Sequence, residues 1–185
     1  MIACFTYWLI GCGLLGFPRD YATANTRIST KHNAVAKWGN WHCGENKERF
    51  NSSWIGDEPA IVEPFLDGDA VRIVIIGDRH WQIKLEGDDW LKSIHHETAN
   101  FMPVDEELLE DTRRIQSAFG LQVIANDYIV TNTGERYLLE VNHIPNVTRF
   151  PEIWEVFRDY TVQWLTKDYS LLSDTNIQNS SFVID

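Results

Sequence analysis

Cysteine is scarce and unpaired: Cys4, Cys12 and Cys43 are odd in number and show neither a metal-type spacing nor a disulfide framework. That pattern points to a reducing, cytoplasmic compartment. Positive charge is also short. Sixteen Lys and Arg stand against 27 Asp and Glu, and the formal charge of -11 repels a phosphate backbone and finds nothing to hold on an anionic membrane, so neither nucleic acid nor a membrane is an expected partner. No hydrophobic run reaches the roughly 20 residues of a spanning helix. The apolar start, Met1 to Phe17, lacks a positive n-region and is interrupted by Gly11, Gly13 and Gly16, which fits a buried strand or the remnant of a further domain better than a signal or an anchor. Internal repeats and low-complexity tracts are absent as well.

Large apolar side chains, in contrast, are plentiful. A hydrophobic content of 44% with eight Trp and nine Phe supplies enough rigid surface for a packed core in one domain or one domain and a small appendage. Arg19 to His32 is polar, Thr-rich and without a period, and reads as a loop. Ala34 to Lys37 reads as a short strand entering a glycine-bearing loop, Ser52 to Pro59 as a connector, and Ala60 to Val62 as a strand running into Glu63-Pro64-Phe65-Leu66, where the proline favours an edge or a crossing between lobes. Arg72 to Ile76 and Trp81 to Leu85 flank Gly77-Asp78 and predict a hairpin. Between Val104 and Phe119, Leu108, Leu109, Thr112, Ile115 and Phe119 mark one apolar helix face, with Asp105 placed to cap its start and Gly120 its end. Val123 to Val130 and Arg136 to Val141 form a second strand pair around Asn132 to Glu135. Pro151 opens another helix through Ile153, Trp154, Phe157, Thr161 and Trp164, whose aromatic stripe reads as core, and the chain turns polar from Lys167.

The residues that carry chemistry begin with Glu140-Val141-Asn142. Alternation along a strand sends Glu140 and Asn142 to one face, and Asp127, on the strand across the Thr133-Gly134 turn, can join them. Three oxygen donors on adjacent strands, with positions left for water and phosphate, suit a Mg²⁺ that accompanies a nucleotide. Taken alone, a Glu-X-Asn is an ordinary solvated strand face. In Lys37 to Lys47, Gly39 and Gly44 let backbone N–H groups approach phosphate oxygens, His42 lies within reach, and Lys37 and Lys47 bracket the loop. It lacks the Gly-Lys-Ser/Thr ending of a Walker loop, and in isolation it is as readily a surface turn. Lys37, at the end of an apolar strand, is costly unless it meets an anion. His95-His96-Glu97 has no zinc spacing and reads as a polar loop, and Cys43 has no base partner.

In order and rough spacing, Val35-Ala36-Lys37, the Gly39 to Lys47 loop, Glu63-Pro64-Phe65-Leu66-Asp67-Gly68, Arg72 to Gly77, Asp127 and Glu140-Val141-Asn142 resemble the ATP-grasp family. The loop and the Glu-Pro-Phe segment are similar to the synapsin branch, and the Glu-X-Asn-X-X-Pro ending to the glutathione synthetase and ribosomal-protein glutamate ligase branch. The resemblance spans about Asn33 to Leu165. It implies an α/β (α+β) fold of two lobes with antiparallel sheets and packed helices, ATP lying between them: an apolar start and linker over 1–32, a small lobe over 33–66, a large lobe over 67–165 and a tail over 166–185. It further implies that Lys37 contacts the α-phosphate and adenine edge, that the Gly39 to Lys47 loop with His42 and Gly44 closes over the outer phosphates, and that Lys47 adds positive charge. Glu63 to Leu66, Phe65 included, would form the hinge that reads adenine, and Asp67 or Asp69 would take the ribose. Arg72 would face the transferred phosphoryl group, and Asp127, Glu140 and Asn142 would hold two Mg²⁺.

The activity implied is that of an ATP-dependent ligase joining a small-molecule or peptide carboxylate to an amine or thiol through an acylphosphate; the alternative is a regulatory nucleotide-binding protein without turnover. Lys84 stands where the relatives carry an arginine, and is expected to share the catalytic role with Arg72 while losing the two-pronged fork. Ser93 replaces an asparagine and Ala70 an aspartate. The family's N-terminal substrate domain is expected to be missing, so a homo-oligomer or a partner supplying it is compatible with the pattern.

Overall fold

In the computed structural model, residues 15–39 and 45–174 are described, of which 167–174 as backbone alone. The chain divides into two compact units, Met1–Pro145 and Asn146–Asp185. The described part of the first unit runs β1 (Asp20–Ala22), β2 (Ile28–Ser29), β3 (Ala34–Trp38), β4 (Lys47–Phe50), β5 (Ser53–Trp54), β6 (Ala60–Pro64), β7 (Gly68–Ile76), β8 (Arg79–Lys84), β9 (Asn100–Met102), α1 (Glu106–Phe119), β10 (Val123–Thr131) and β11 (Arg136–Asn142). A four-stranded antiparallel sheet has the order β1-β6-β3-β4, and a five-stranded antiparallel sheet the order β11-β10-β7-β8-β9. The fold is therefore α+β, with strands contributed mainly by hairpins.

Local chemistry explains these elements. Residues 77 and 78 close the β7–β8 hairpin as a two-residue turn, since Ile76 pairs with Arg79, and Gly77 takes the positive φ of 57° that the tight turn demands. Asp105 caps α1 by accepting from the Glu107 and Leu108 N–H groups, and Gly120 ends it at φ 61°, where a side chain would be strained. The apolar face of α1, Leu108, Leu109 and Ile115, packs on Val71, Ile73, Ile75, Ile124, Tyr128, Leu138 and Val141 of the large sheet. A second core under the smaller sheet gathers Ala34, Ala36, Phe50, Trp54 and Val62. Burial of this many large side chains, at roughly 1.5–3 kcal/mol each, offsets the ordering of the chain.

Three expectations change. Arg19 to His32 is not an unstructured linker, because β1 pairs with β6, and β2 with β5 of the presumed connector; strands of three and two residues are too short to show alternation and are fixed by their partners. Pro64 does not mark an edge strand. β6 lies between β1 and β3, and the proline is tolerated as its last residue, beyond Val62 where the β1 pairing stops. The outer edge of β11 is met by the chain's own lead-in, in which Leu15 accepts from the Leu138 N–H at 2.8 Å and donates to Asp111 at 3.2 Å.

The second unit holds a turn in which Asn146 accepts from the Thr148 backbone and hydroxyl, followed by α2 (Pro151–Asp174). Pro151 fits the first helical position because the N–H it lacks would be unused there. The helix continues past Lys167, and the aromatic stripe expected to be core is not: Trp154 and Trp164 remain 40% and 54% exposed, Trp154 stacking on Phe157 while Ile153 is buried. Among the described residues no helix is long and apolar enough to cross a membrane.

Candidate functional site

Three neighbouring strands bring Arg72, Asp127 and Glu140 into one row. Arg72 of β7 stands opposite Asp127 of β10, and Asp127 opposite Glu140 of β11, so the three side chains share the sheet face turned away from α1. Register alone would not put Glu140 there. Tyr128 pairs with Leu138 on the core side, and plain alternation would send residue 140 to that side too; a bulge between Asp127 and Tyr128 leaves Leu139 as the extra residue and flips Glu140 and Asn142 to the opposite face. The bulge is thus the local cause of the site.

Arg72 grips Asp127 through both oxygens, at 2.6 and 2.7 Å, with each side chain 13% exposed. A two-pronged pair at this depth is strong and geometrically fixed. Burial, then the charge of Asp127, pushes the Glu140 carboxyl above its usual range, with Lys47, Lys37 and Arg72 partly offsetting the rise. Lys47 comes from the other sheet: it opens β4, pairs with Lys37 of β3, and is lowered by burial and by Lys37 while Glu140, Asp127 and Glu63 raise it. Positive side chains of one sheet therefore confront carboxylates of the other. Asn142 contributes a buried Nδ2 with no hydrogen-bond partner among the described residues. Two opposed carboxylates and the amide oxygen of Asn142, all hard donors, with lysines and an arginine around them, fit a Mg-nucleotide; an ion taking Asp127 would compete with Arg72 for at least one oxygen.

Lys37 is held by the buried Glu63, whose second oxygen takes Arg19 Nε at 3.0 Å. The Glu63 side chain thus serves Lys37 and Arg19, a role separate from the backbone hinge expected of it. Arg19 goes further, donating to the carbonyls of Leu138 at 2.9 Å and Leu139 at 3.3 Å. Sequence reading missed Arg19 because its partners on the two sheets lie 44 to 120 residues away; a charged residue beside Pro18 in a polar stretch carries no spacing signal.

The remaining expected positions divide. Gly39, at φ 55°, follows β3, whereas His42 and Gly44 fall outside the described residues. Phe65 is partly buried under Arg49, 3.7 Å from its ring centre, and meets Trp90 edge-on; its N–H is already given to Asn33 at 2.9 Å. Leu66 is half-buried and Asp67 exposed. Asp69 pairs with Lys84 at 3.0 Å, near the start of β7, which raises the Lys84 amine. Because Lys84 stands opposite Val71, it belongs to the α1 side of the sheet and is not brought together with Arg72.

No protein-family model and no curated protein matches the sequence. Solved structures do match in shape. The ATP-grasp ligase PsnB complexed with minimal precursor superposes with a TM-score of 0.57 at 15% identity, over 85% of this chain and 59% of that one. This chain has the ATP-grasp fold. A Chryseobacterium gregarium RiPP-associated ATP-grasp ligase in complex with ADP and a leader and core peptide gives a TM-score of 0.51 at 12% identity, over 75% and 52% of the two chains. PsnB with minimal precursor, Mg and ADP gives 0.51 at 15%, over 69% and 47%. The chain spans about half the length of these ATP-grasp structures.

Proposed function

We propose that this ATP-grasp chain binds Mg-ATP between its two sheets and belongs to an ATP-dependent carboxylate–amine (or thiol) ligase. The observation that carries the reading is the in-register row of Arg72, Asp127 and Glu140, faced by Lys47 from the opposite sheet. In this reading Asp127, Glu140 and Asn142 hold the metal, Lys37 and Lys47 take the phosphates with the loop of Gly39, His42 and Gly44, and Arg72 leaves Asp127 for the phosphoryl group in flight. Two Mg²⁺, when bound, would neutralise the triphosphate. Phe65 and Leu66 form the adenine-reading hinge, the free part of which is Leu66, and Asp67 takes the ribose, since Asp69 is engaged by Lys84.

The chemistry is a balanced pair of displacements. An oxygen of the substrate carboxylate attacks the γ-phosphorus and ADP leaves; the amine nitrogen or thiol sulfur then attacks the acyl carbon of the acylphosphate and phosphate leaves. The chain's residues align the reactants and neutralise charge, which can replace a dedicated general base. A peptide is the favoured carboxylate substrate, on the analogy of relatives whose structures hold precursor or core peptides.

The position of Lys84 favours a second reading, nucleotide binding without turnover, because the cation expected beside Arg72 is tied to Asp69 on the other face. Calorimetry with ATP, with and without Mg²⁺, tests the first step: Mg²⁺ should tighten binding about a hundredfold in the parent chain and not at all in Glu140→Gln. Equal affinities in the two proteins would remove the metal assignment. ADP release over a panel of amino acids and short peptides then separates the readings, since binding without release leaves the regulatory one.

A further inference from the structure

Arg19 is a buried cation with partners on both sheets. It holds Glu63 of the smaller sheet, donates to the Leu138 and Leu139 carbonyls of the larger one, and lies 3.9 Å over the ring of Phe17, which meets Tyr137 edge-on. Two of these contacts bear directly on the site. Glu63 is shared between Arg19 and Lys37, one oxygen each, so the carboxylate is neutralised by Arg19 and the positive charge of Lys37 remains available to an anion. Leu139 is the extra residue of the bulge that turns Glu140 and Asn142 onto the Arg72 face, and Arg19 satisfies the carbonyls at that irregularity.

Resting on the Mg-ATP reading, we propose that Arg19 is a positioning residue for both halves of the site: through Glu63 it frees the charge of Lys37 for phosphate, and through the bulge carbonyls it fixes the orientation of Glu140. The two roles need different properties of the side chain. Releasing Lys37 requires only a positive charge beside Glu63. Holding the bulge requires a fork wide enough to reach a carboxylate and two carbonyls at once, which the single ammonium of lysine does not provide.

The test is calorimetric titration with ATP and with adenosine, each with and without Mg²⁺, on the full chain and on Arg19→Lys, Arg19→Met and Arg19→Met/Glu63→Gln, with thermal unfolding of each. Arg19→Lys should keep metal-free ATP affinity within about threefold and lose most of the gain that Mg²⁺ confers. Arg19→Met should weaken metal-free ATP binding about tenfold, with adenosine unaffected, because Glu63 then cancels Lys37. Adding Glu63→Gln should restore the metal-free part, which a purely structural role for Arg19 would not allow, and should also rescue folding where the Glu63 oxygen left without Arg19 prevents it. Parallel loss of both components in Arg19→Lys, or failure of the double variant to regain ATP affinity, overturns the proposal while leaving the Mg-ATP reading intact. Absence of ATP binding by the parent chain overturns both.

Discussion

On the α1 side of the large sheet, Asp111, Thr112, Asn126 and Tyr128 close a polar network inside the core; one residue along each strand, on the other side, Arg72, Asp127 and Glu140 stand in a row. The Tyr128 hydroxyl reaches Asp111 at 2.8 Å, Thr112 at 2.8 Å and Asn126 at 3.1 Å, a group of neutral dipoles around one carboxylate. Burial, then the charge of Asp111, pushes the Tyr128 phenol far upward, so it stays a donor at any working pH. The opposite face puts two carboxylates next to each other, and one of them, Glu140, is forced toward its protonated form. The same backbone thus carries a hydrogen-bonded arrangement that holds the fold, in which the buried Asn126 Oδ1 alone of the four residues' polar side-chain atoms has no partner among the described residues, and a frustrated one suited to a cation. Stability and binding should respond to mutation on different faces.

The sharpest way to break this contrast is Asp111→Ala. Removing the carboxylate takes one acceptor from the Tyr128 hydroxyl and the acceptor of the Leu15 N–H, and denaturant unfolding should show a loss of about 3 kcal/mol with nucleotide affinity unchanged below the transition. Glu140→Gln should act the other way, raising stability by about 1 kcal/mol as the repulsion with Asp127 disappears. Its pH dependence carries the sign. A carboxyl whose folded pKa lies above its unfolded value favours the native state only while protonated, so parent stability should fall as pH rises from the unfolded value of 4.5 through the raised one, and the variant should flatten that slope. Lys47→Met should give the smallest change, a gain of a few tenths of a kcal/mol near neutral pH, because burial and Lys37 penalise its charge. That gain should vanish as pH climbs through the lowered folded value toward 10.5, where the parent loses the same penalty. A destabilised Glu140→Gln or Lys47→Met would erase the distinction between the faces.

Much of the large sheet was legible because its signals are local. Asp105 and Gly120 bracket an apolar period of helical spacing, and Gly77-Asp78 dictates a turn whatever the rest of the chain does. That Asp127 lies on the strand paired with that of Glu140 was also readable, from the short turn between them, but the facing of these two residues depends on the bulge. What the sequence concealed depends on distant partners. That Arg72 lies directly beside Asp127, and grips it, requires knowing that β7 and β10 are neighbours, 55 residues apart. The bulge at Leu139 has no composition signal, so the alternation argument reached the right face for Glu140 and Asn142 within their own segment while missing that Leu138 points the other way. Lys84 illustrates the opposite error of treating charge as role: its position opposite Val71 and its pairing with Asp69 follow from strand phase, which a resemblance in linear order does not report.

The lead-in that meets β11 also has a bearing on solubility. A seven-residue outermost strand with bare amide and carbonyl groups is a template on which another chain can add a strand, and here the Leu138 and Leu139 backbone groups are taken by Leu15 and Arg19. At the opposite margin β9 is only three residues long, which limits such growth by brevity instead. A chain pared back to Asp20 would keep Asp127 and Glu140 in their row and yet present a sticky margin to its neighbours, so clumping, rather than loss of the carboxylates, would be its first defect.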